Sequence, residues 1–176
     1  LNNILYDISE VAIPFDKVDQ QDIEQPRVLN IQLIQGFMLT MGPISSVFDF
    51  ITFYVMLEFF ALSEPLFQTG WFMESLCTQV LVIFVIRTRR RFWQSHPHPT
   101  LIATSLIVVV LALVIPVTPL AVYFGLSQLP LAFYAFVLLM TIGYLLVADF
   151  VKTRFFQRYD SYLTSVTGSA VNVITR

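Results

Sequence analysis

Five apolar runs separated by polar or proline-rich loops set the terms for this chain: residues 1–15, 31–62, 71–86, 101–115 and 131–151. A bilayer core about 30 Å thick is crossed by a helix of about 20 mostly apolar residues, and in that solvent every backbone polar group must be bonded internally. With 56% hydrophobic and 12% charged residues, the chain lies above a soluble domain in apolar content and below it in charge. The expected fold is all-α, a polytopic transmembrane bundle of about five helical segments. The second run is long enough to span with tilt, while the third and fourth must borrow Phe67, Phe92, Trp93 and Val117 from their flanks. The first is too short to cross alone, at about 20 Å if helical to Pro14, so the opening reads as an interior cut with residues missing upstream. The opening residues do not read as a signal peptide, since amides and a carboxylate stand where an apolar stretch would be expected.

Basic residues orient the bundle. Lys17 and Arg27 follow the first run, Arg87, Arg89, Arg90 and Arg91 the third, and Lys152, Arg154 and Arg158 the fifth, whereas residues 63–70 and 116–130 carry no Lys or Arg. Five crossings place every internal basic cluster on one side, which the positive-inside rule makes the cytoplasm, and the C-terminus lies there too. Residues 16–25 read as an acidic, solvated connector. Residues 161–176, rich in Ser, Thr and small residues, read as a loose C-terminal extension beyond a membrane domain covering residues 1–160.

Ionisable groups inside hydrocarbon are costly and are read first as functional. Asn3, Asp7, Glu10 and Pro14 recur at spacings of four, three and four, which keeps them on one stripe of a helix. Asn3 offers a neutral oxygen and Asp7 an anionic one, a pair suited to a hard cation such as Mg²⁺ or Ca²⁺; interhelical hydrogen bonding is the competing role. In the second run Pro43 removes a backbone donor beside Ser45 and Ser46, a break of the kind that lines cavities, and Asp49 follows one turn later as ligand, proton carrier or structural partner. Glu58 reads as interfacial. In the third run Glu74 is expected near the outer boundary, where it can meet water, and Gln79 deeper, as the better inward-facing group. Thr141, Tyr144 and Asp149 read as packing or a helix-end cap.

Other chemistry finds little footing. Cys77 has no partner in the chain and reads as a core residue; His96 and His98 alone make a poor metal site. The cluster Arg87-Thr88-Arg89-Arg90-Arg91 begins where an apolar run ends, so it reads as a topology anchor touching lipid headgroups and not as a nucleic-acid surface. There is no glycine-rich phosphate loop, nucleophile elbow or zinc-protease motif.

These residues together resemble the membrane C-terminus of P-type ATPases, most closely the bacterial magnesium-importing group. Residues 3–16 (NILYDISEVAIPFD) are similar to that group's sixth transmembrane helix, residues 42–49 (GPISSVFD) to its seventh, and residues 67–72 (FQTGWF), leading to Gln79 and residues 87–90 (RTRR), to its eighth. The resemblance implies that Asn3 and Asp7 are ligands of the transported cation, with Asp49, Glu74 and Gln79 as secondary candidates. It implies a multi-pass translocase of the bacterial inner (plasma) membrane that imports Mg²⁺. ATP would be bound only by domains outside this stretch, which also lacks the DKTGT phosphorylation motif. The expected partners are the lipid bilayer, the remaining domains of the parent ATPase and a divalent cation, with no nucleic acid. A second class stays open at this point: a non-enzymatic membrane channel or assembly subunit in which the same polar groups only bridge helices.

Overall fold

The computed structural model describes residues 1–16 and 31–174, with side chains placed for residues 1–16 and 31–159. The acidic connector, Lys17, Arg27 and the side chains of the C-terminal stretch lie outside the described residues.

Among the described residues there is no strand. Helix α1 is Asn2–Glu10, followed by a 3-10 turn at Ile13–Phe15 that contains Pro14. Helix α2 is Ile31–Tyr54 and continues as a π-helical stretch over Val55–Phe59. Helix α3 is Glu64–Leu81, with the four-residue α4, Ile83–Ile86, continuing it. Helix α5 is Pro99–Val114 and α6 is Leu131–Ile174. Among the described residues four stretches are long and apolar enough to cross a membrane: Ile31–Phe59, Glu64–Ile86, Pro99–Val117 and Leu131–Tyr159. Helix α1, nine residues long, is not among them.

Local chemistry explains the boundaries. Helix α3 begins at Glu64, ahead of the apolar run, because Pro65 sits in its first turn, where a missing N–H costs nothing. Helix α5 starts the same way with Pro99, and His98 caps it by accepting from the Thr100 N–H through Nδ1 at 3.3 Å. Its far end meets Pro116, and two 3-10 turns lead to Gly125, whose φ of 66° is a conformation glycine adopts without steric cost.

Pro43 does not break the second run: α2 passes straight through it. Lipid offers the freed groups no substitute for helical bonding, so the local rearrangement is smaller than a break, and the Ser46 hydroxyl donates to the Gly42 carbonyl at 3.2 Å. The departure from α geometry comes instead at the π-helical end, and Ala61 then turns the chain with a φ of 47°. Helix α6 continues past Val151 to Ile174, through the stretch expected to be loose; no proline interrupts it, and each added residue brings one more backbone bond.

Helix α3 is the hub. On one side Leu76 and Val80 pack with Leu5 of α1 and with Val108, Ala112 and Ile115 at α5. On the other, Met73 and Cys77 pack with Met56, Leu129, Phe133 and Val137, joining α2 and α6. Gly70 makes the second seam possible, because a Cβ there would come within 2.8 Å of both the Met56 sulfur and Phe133 Cζ. Small residues let membrane helices approach where packing must drive association.

The end of the bundle that bears the arginine cluster is laced by ions. Arg87 donates through Nε to Asp16 at 2.5 Å and through Nη1 to Ser95 at 2.9 Å, and the His98 N–H donates to the other Asp16 oxygen at 2.8 Å. Lys152, 0% exposed, donates to the Val85 carbonyl at 2.9 Å, the Arg90 carbonyl at 2.6 Å and Asp149 Oδ1 at 2.8 Å. Asp149 also accepts from the Phe92 N–H at 3.0 Å. The linker between α4 and α5 is thus bonded both to the exit of α1 and to α6.

Candidate functional site

Helix α1 presents its polar stripe away from the bundle. Leu5, Ser9 and Ala12 form the buried face, whereas Asn3 and Asp7 are exposed and project from the opposite side, roughly 160° around the helix at 100° per residue. The face is chosen by packing: Leu5 enters the core with Leu76 and Val108, and the Thr104 hydroxyl approaches the Ser9 carbonyl at 3.4 Å. Asn3 and Asp7 remain one turn apart on the same side of the helix. Glu10, half-buried, shares a side-chain hydrogen bond with Tyr6.

The other predicted carboxylates lie elsewhere, where α2, α3 and α6 meet. Glu74 is 1% exposed, and its Oε2 has no hydrogen-bond partner among the described residues. Asp49, half-buried on α2, is close enough to act on Glu74 electrostatically. The hydroxyls of Thr52 on α2 and Thr141 on α6 are likewise buried without partners, and Tyr144 hydrogen-bonds Ser45. The ring of Tyr144 stands edge-on to Phe48 at 5.4 Å, fixing α6 against α2 at this level.

The expectation for the third run is therefore reversed. Gln79 is exposed, and Glu74 is the inward group. Depth along the helix axis is a poor guide here: the two positions are five residues apart, about 140° around the helix, so only one can face the seam. Sequence reasoning also misses Thr52, names Ser45 only for the break at Pro43, and sets Thr141 aside as packing or a helix-end cap. Their available signal is register, since Ser45, Asp49 and Thr52 share one face of α2, as Thr141 and Tyr144 share one of α6.

Among the described residues no group of three or more His, Cys, Asp or Glu is arranged to hold a metal ion. Asn3 and Asp7 place an amide and a carboxylate on an open face, whereas Asp49 is half-buried and Glu74 buried within the bundle. The arginines at the ion-laced end lie over aromatic rings, Arg89 on Phe156 at 4.8 Å, Arg91 on Trp93 at 5.1 Å and Arg154 on Phe150 at 5.2 Å. Aromatic and basic side chains in company suit the membrane–water boundary.

Comparison with known proteins agrees with this architecture. The family model for the C-terminus of cation transporting ATPases matches residues 1–154. The chain is 41% identical over 164 residues to a magnesium-transporting ATPase, P-type 1, of Salmonella typhimurium, covering 90% of this chain and 18% of the relative. A protein of the same description from Escherichia coli is 40% identical over the same shares of both chains. A second Salmonella typhimurium relative so described is 35% identical over 167 residues, 92% of this chain and 18% of its own. The chain thus spans less than a fifth of the length of the relatives it matches. A helical bundle with four membrane-length helices, matched over nearly its whole described length, bears out the resemblance to P-type ATPases: the chain belongs to the cation transporting ATPase family and is its C-terminal membrane region.

Proposed function

We propose that this chain is the C-terminal membrane part of an ATP-driven Mg²⁺ transporter, and that Asn3 and Asp7 contribute ligands to the transported ion. The observation that carries the reading is the 41% identity, over 90% of the chain, to a magnesium-transporting ATPase. The geometry of α1 supports it. A carboxylate and an amide left on an open face of a helix otherwise packed into the bundle are available to elements outside this chain, which would complete the oxygen shell. Mg²⁺ sheds its waters reluctantly, so a site with one carboxylate, one amide oxygen and retained water suits it better than a full protein cage.

ATP hydrolysis would occur in other domains of the parent and act on the ion through movement of α1. The short helix suits that role: its exit is bonded through Asp16 to Arg87 and His98, so a displacement of α1 is felt by the linker between α4 and α5. The protein would lie in the bacterial inner membrane with its C-terminus in the cytoplasm, a topology that the placement of basic residues supports.

The test is Asp7→Asn in the full-length protein. Uptake at limiting Mg²⁺ is expected to fall at least ~100-fold with normal protein levels, since loss of the one charged ligand removes about 3 kcal/mol or more from an ion-bound state. Wild-type uptake by the variant removes Asp7 from the ligand set.

A further inference from the structure

The exit of α1 is fixed more firmly than the helix that leads to it. We propose that Arg87 is a positioning residue for transport: paired with Asp16 it holds the foot of α1, and α1 tilts on that foot to present Asn3 and Asp7. The inference rests on the reading of α1 as the ligand-bearing helix.

The foot is built from several sides. Asp16 accepts from Arg87 Nε through one oxygen and from the His98 N–H through the other, at 2.8 Å, so its carboxylate lies at the start of α5, where a helix favours negative charge. Arg87 closes α4, its N–H donating to the Ile83 carbonyl at 3.0 Å, and its guanidinium is steadied by Ser95 at 2.9 Å. With the Arg87 and Asp16 side chains 8% and 14% exposed, the pair is shielded from the water and salt that weaken surface ion pairs. The linker that carries it is itself anchored to α6: the Val85 and Arg90 carbonyls accept from Lys152, and the Phe92 N–H donates to Asp149.

Above the foot the contacts change in kind. Leu5 and Ala12 turn apolar groups inward, and the Thr104 hydroxyl reaches the Ser9 carbonyl only at 3.4 Å while bonding carbonyls of its own helix at 3.1 and 3.2 Å. Apolar contact is non-directional, so it resists separation more than tilt. The joint lies between the two regions: α1 ends at Glu10, and a 3-10 turn over Ile13–Phe15 leads to Asp16 through Pro14, which has no N–H to give. The α-helical ladder stops short of Asp16, and α1 can tilt without breaking the ion pair. Releasing the foot adds orientations in which Asn3 and Asp7 do not meet the ion. Apparent affinity falls with the fraction of molecules in the competent orientation, a loss that saturating ion makes good. The signature is a raised KM with little change in maximal rate.

The test measures Mg²⁺ uptake against external Mg²⁺ in cells whose sole Mg²⁺ importer is the full-length protein. In the purified protein it also measures the distance between spin labels at Ile4 of α1 and Leu139 of α6, both exposed. Arg87→Met is expected to raise KM at least fivefold, keep the maximal rate within twofold and broaden the distance distribution. Arg87→Lys, which retains the charge, is expected to keep KM within twofold of wild type and the distribution narrow. Gly70→Ala, which disturbs the bundle away from the foot, should leave KM unchanged. If Arg87→Met fails to fold, Asp16→Asn decides, since its remaining oxygen still accepts from the His98 N–H while the ion pair is lost. An unchanged distance distribution overturns the proposal, as does a fall in maximal rate with KM unchanged. A broadened distribution with normal uptake overturns it too, and places the failure in the reading of α1 as the ligand helix, because the foot would then hold a helix without a ligand.

Discussion

Helices α1 and α3 both carry carboxylates in apolar sequence, and they dispose of them in opposite ways. Helix α1 buries Leu5, Ser9 and Ala12 and leaves Asn3 and Asp7 on its open side; α3 buries Glu74 and leaves Gln79 and Trp71 outside. In water the first pattern would be an ordinary amphipathic helix and the second an error. In a bilayer the cost is the other way round: the buried Glu74 has protein around it, and the open stripe of α1 would face hydrocarbon unless further protein covers it. The comparison teaches that burial within this chain does not rank its polar groups by function. Bonding separates them instead: Lys152 and Asp149 are held within the bundle, whereas Asn3 and Asp7 on the open face, and the buried Glu74 with its unbonded Oε2, await a partner.

The largest effect that could break this division is at the ion-laced end. Lys152 has three acceptors and no exposure, so Lys152→Met leaves Asp149 buried with only the Phe92 N–H and deprives two carbonyls of their donor. Removing one partner of a buried pair costs about 3–5 kcal/mol. Thermal unfolding of the full-length protein in detergent should register a loss of this size, whereas Arg154→Met, an exposed residue nearby on the same helix, should change stability by less than about 0.5 kcal/mol. Equal effects would mean that the end of the bundle is held by lipid contacts and not by these bonds.

Next in size is Gly70→Ala. The added methyl must displace the Met56 sulfur and the Phe133 ring from 2.8 Å, and overpacking of this kind costs about 1–3 kcal/mol. Gly42 is the control, since a methyl there would meet nothing within 4 Å on the open side of α2. Gly42→Ala should be neutral or slightly stabilising in the same unfolding assay. A loss at Gly42 matching that at Gly70 would show that α2 is covered by protein where this chain leaves it open.

The spans themselves are legible because the bilayer demands long apolar helices, and four among the described residues qualify. The facing of each helix is not. Lipid-facing surfaces are as apolar as packed ones, so Phe50, Phe59 and Leu131, all strongly exposed, resemble Met73 and Phe133, which are wholly buried. Hence sequence alone favours Gln79 over Glu74. The break expected at Pro43 fails because helix continuity in lipid outweighs a single lost donor, and the π-helical stretch at Val55–Phe59 carries no residue that announces it. Lys152 and Asp149 are visible as charges, but their bonds to the linker join positions far apart in the chain, 62 residues in the case of Lys152 and Arg90. For α1 the stripe is legible from spacing alone, whereas its direction relative to the bundle depends on Leu5 finding Leu76 and Val108.

The smallest stability effect sharpens the comparison most. Asp7→Asn on the open face of α1 removes a charge set apart from the packed side, where Leu5, Ser9 and Ala12 do the holding. Its effect on unfolding should stay within about 0.5 kcal/mol, as for other positions away from caps, cores and buried networks. Uptake should nevertheless collapse, so the ratio of functional to structural loss at Asp7 should exceed that at Lys152 by a wide margin. Parallel measurement of uptake and thermal unfolding on the two variants checks this directly. A large stability loss at Asp7 with uptake reduced only in proportion would make its carboxylate a packing partner of the surrounding protein, and the distinction between holding groups and waiting groups would fail at the residue on which it most depends.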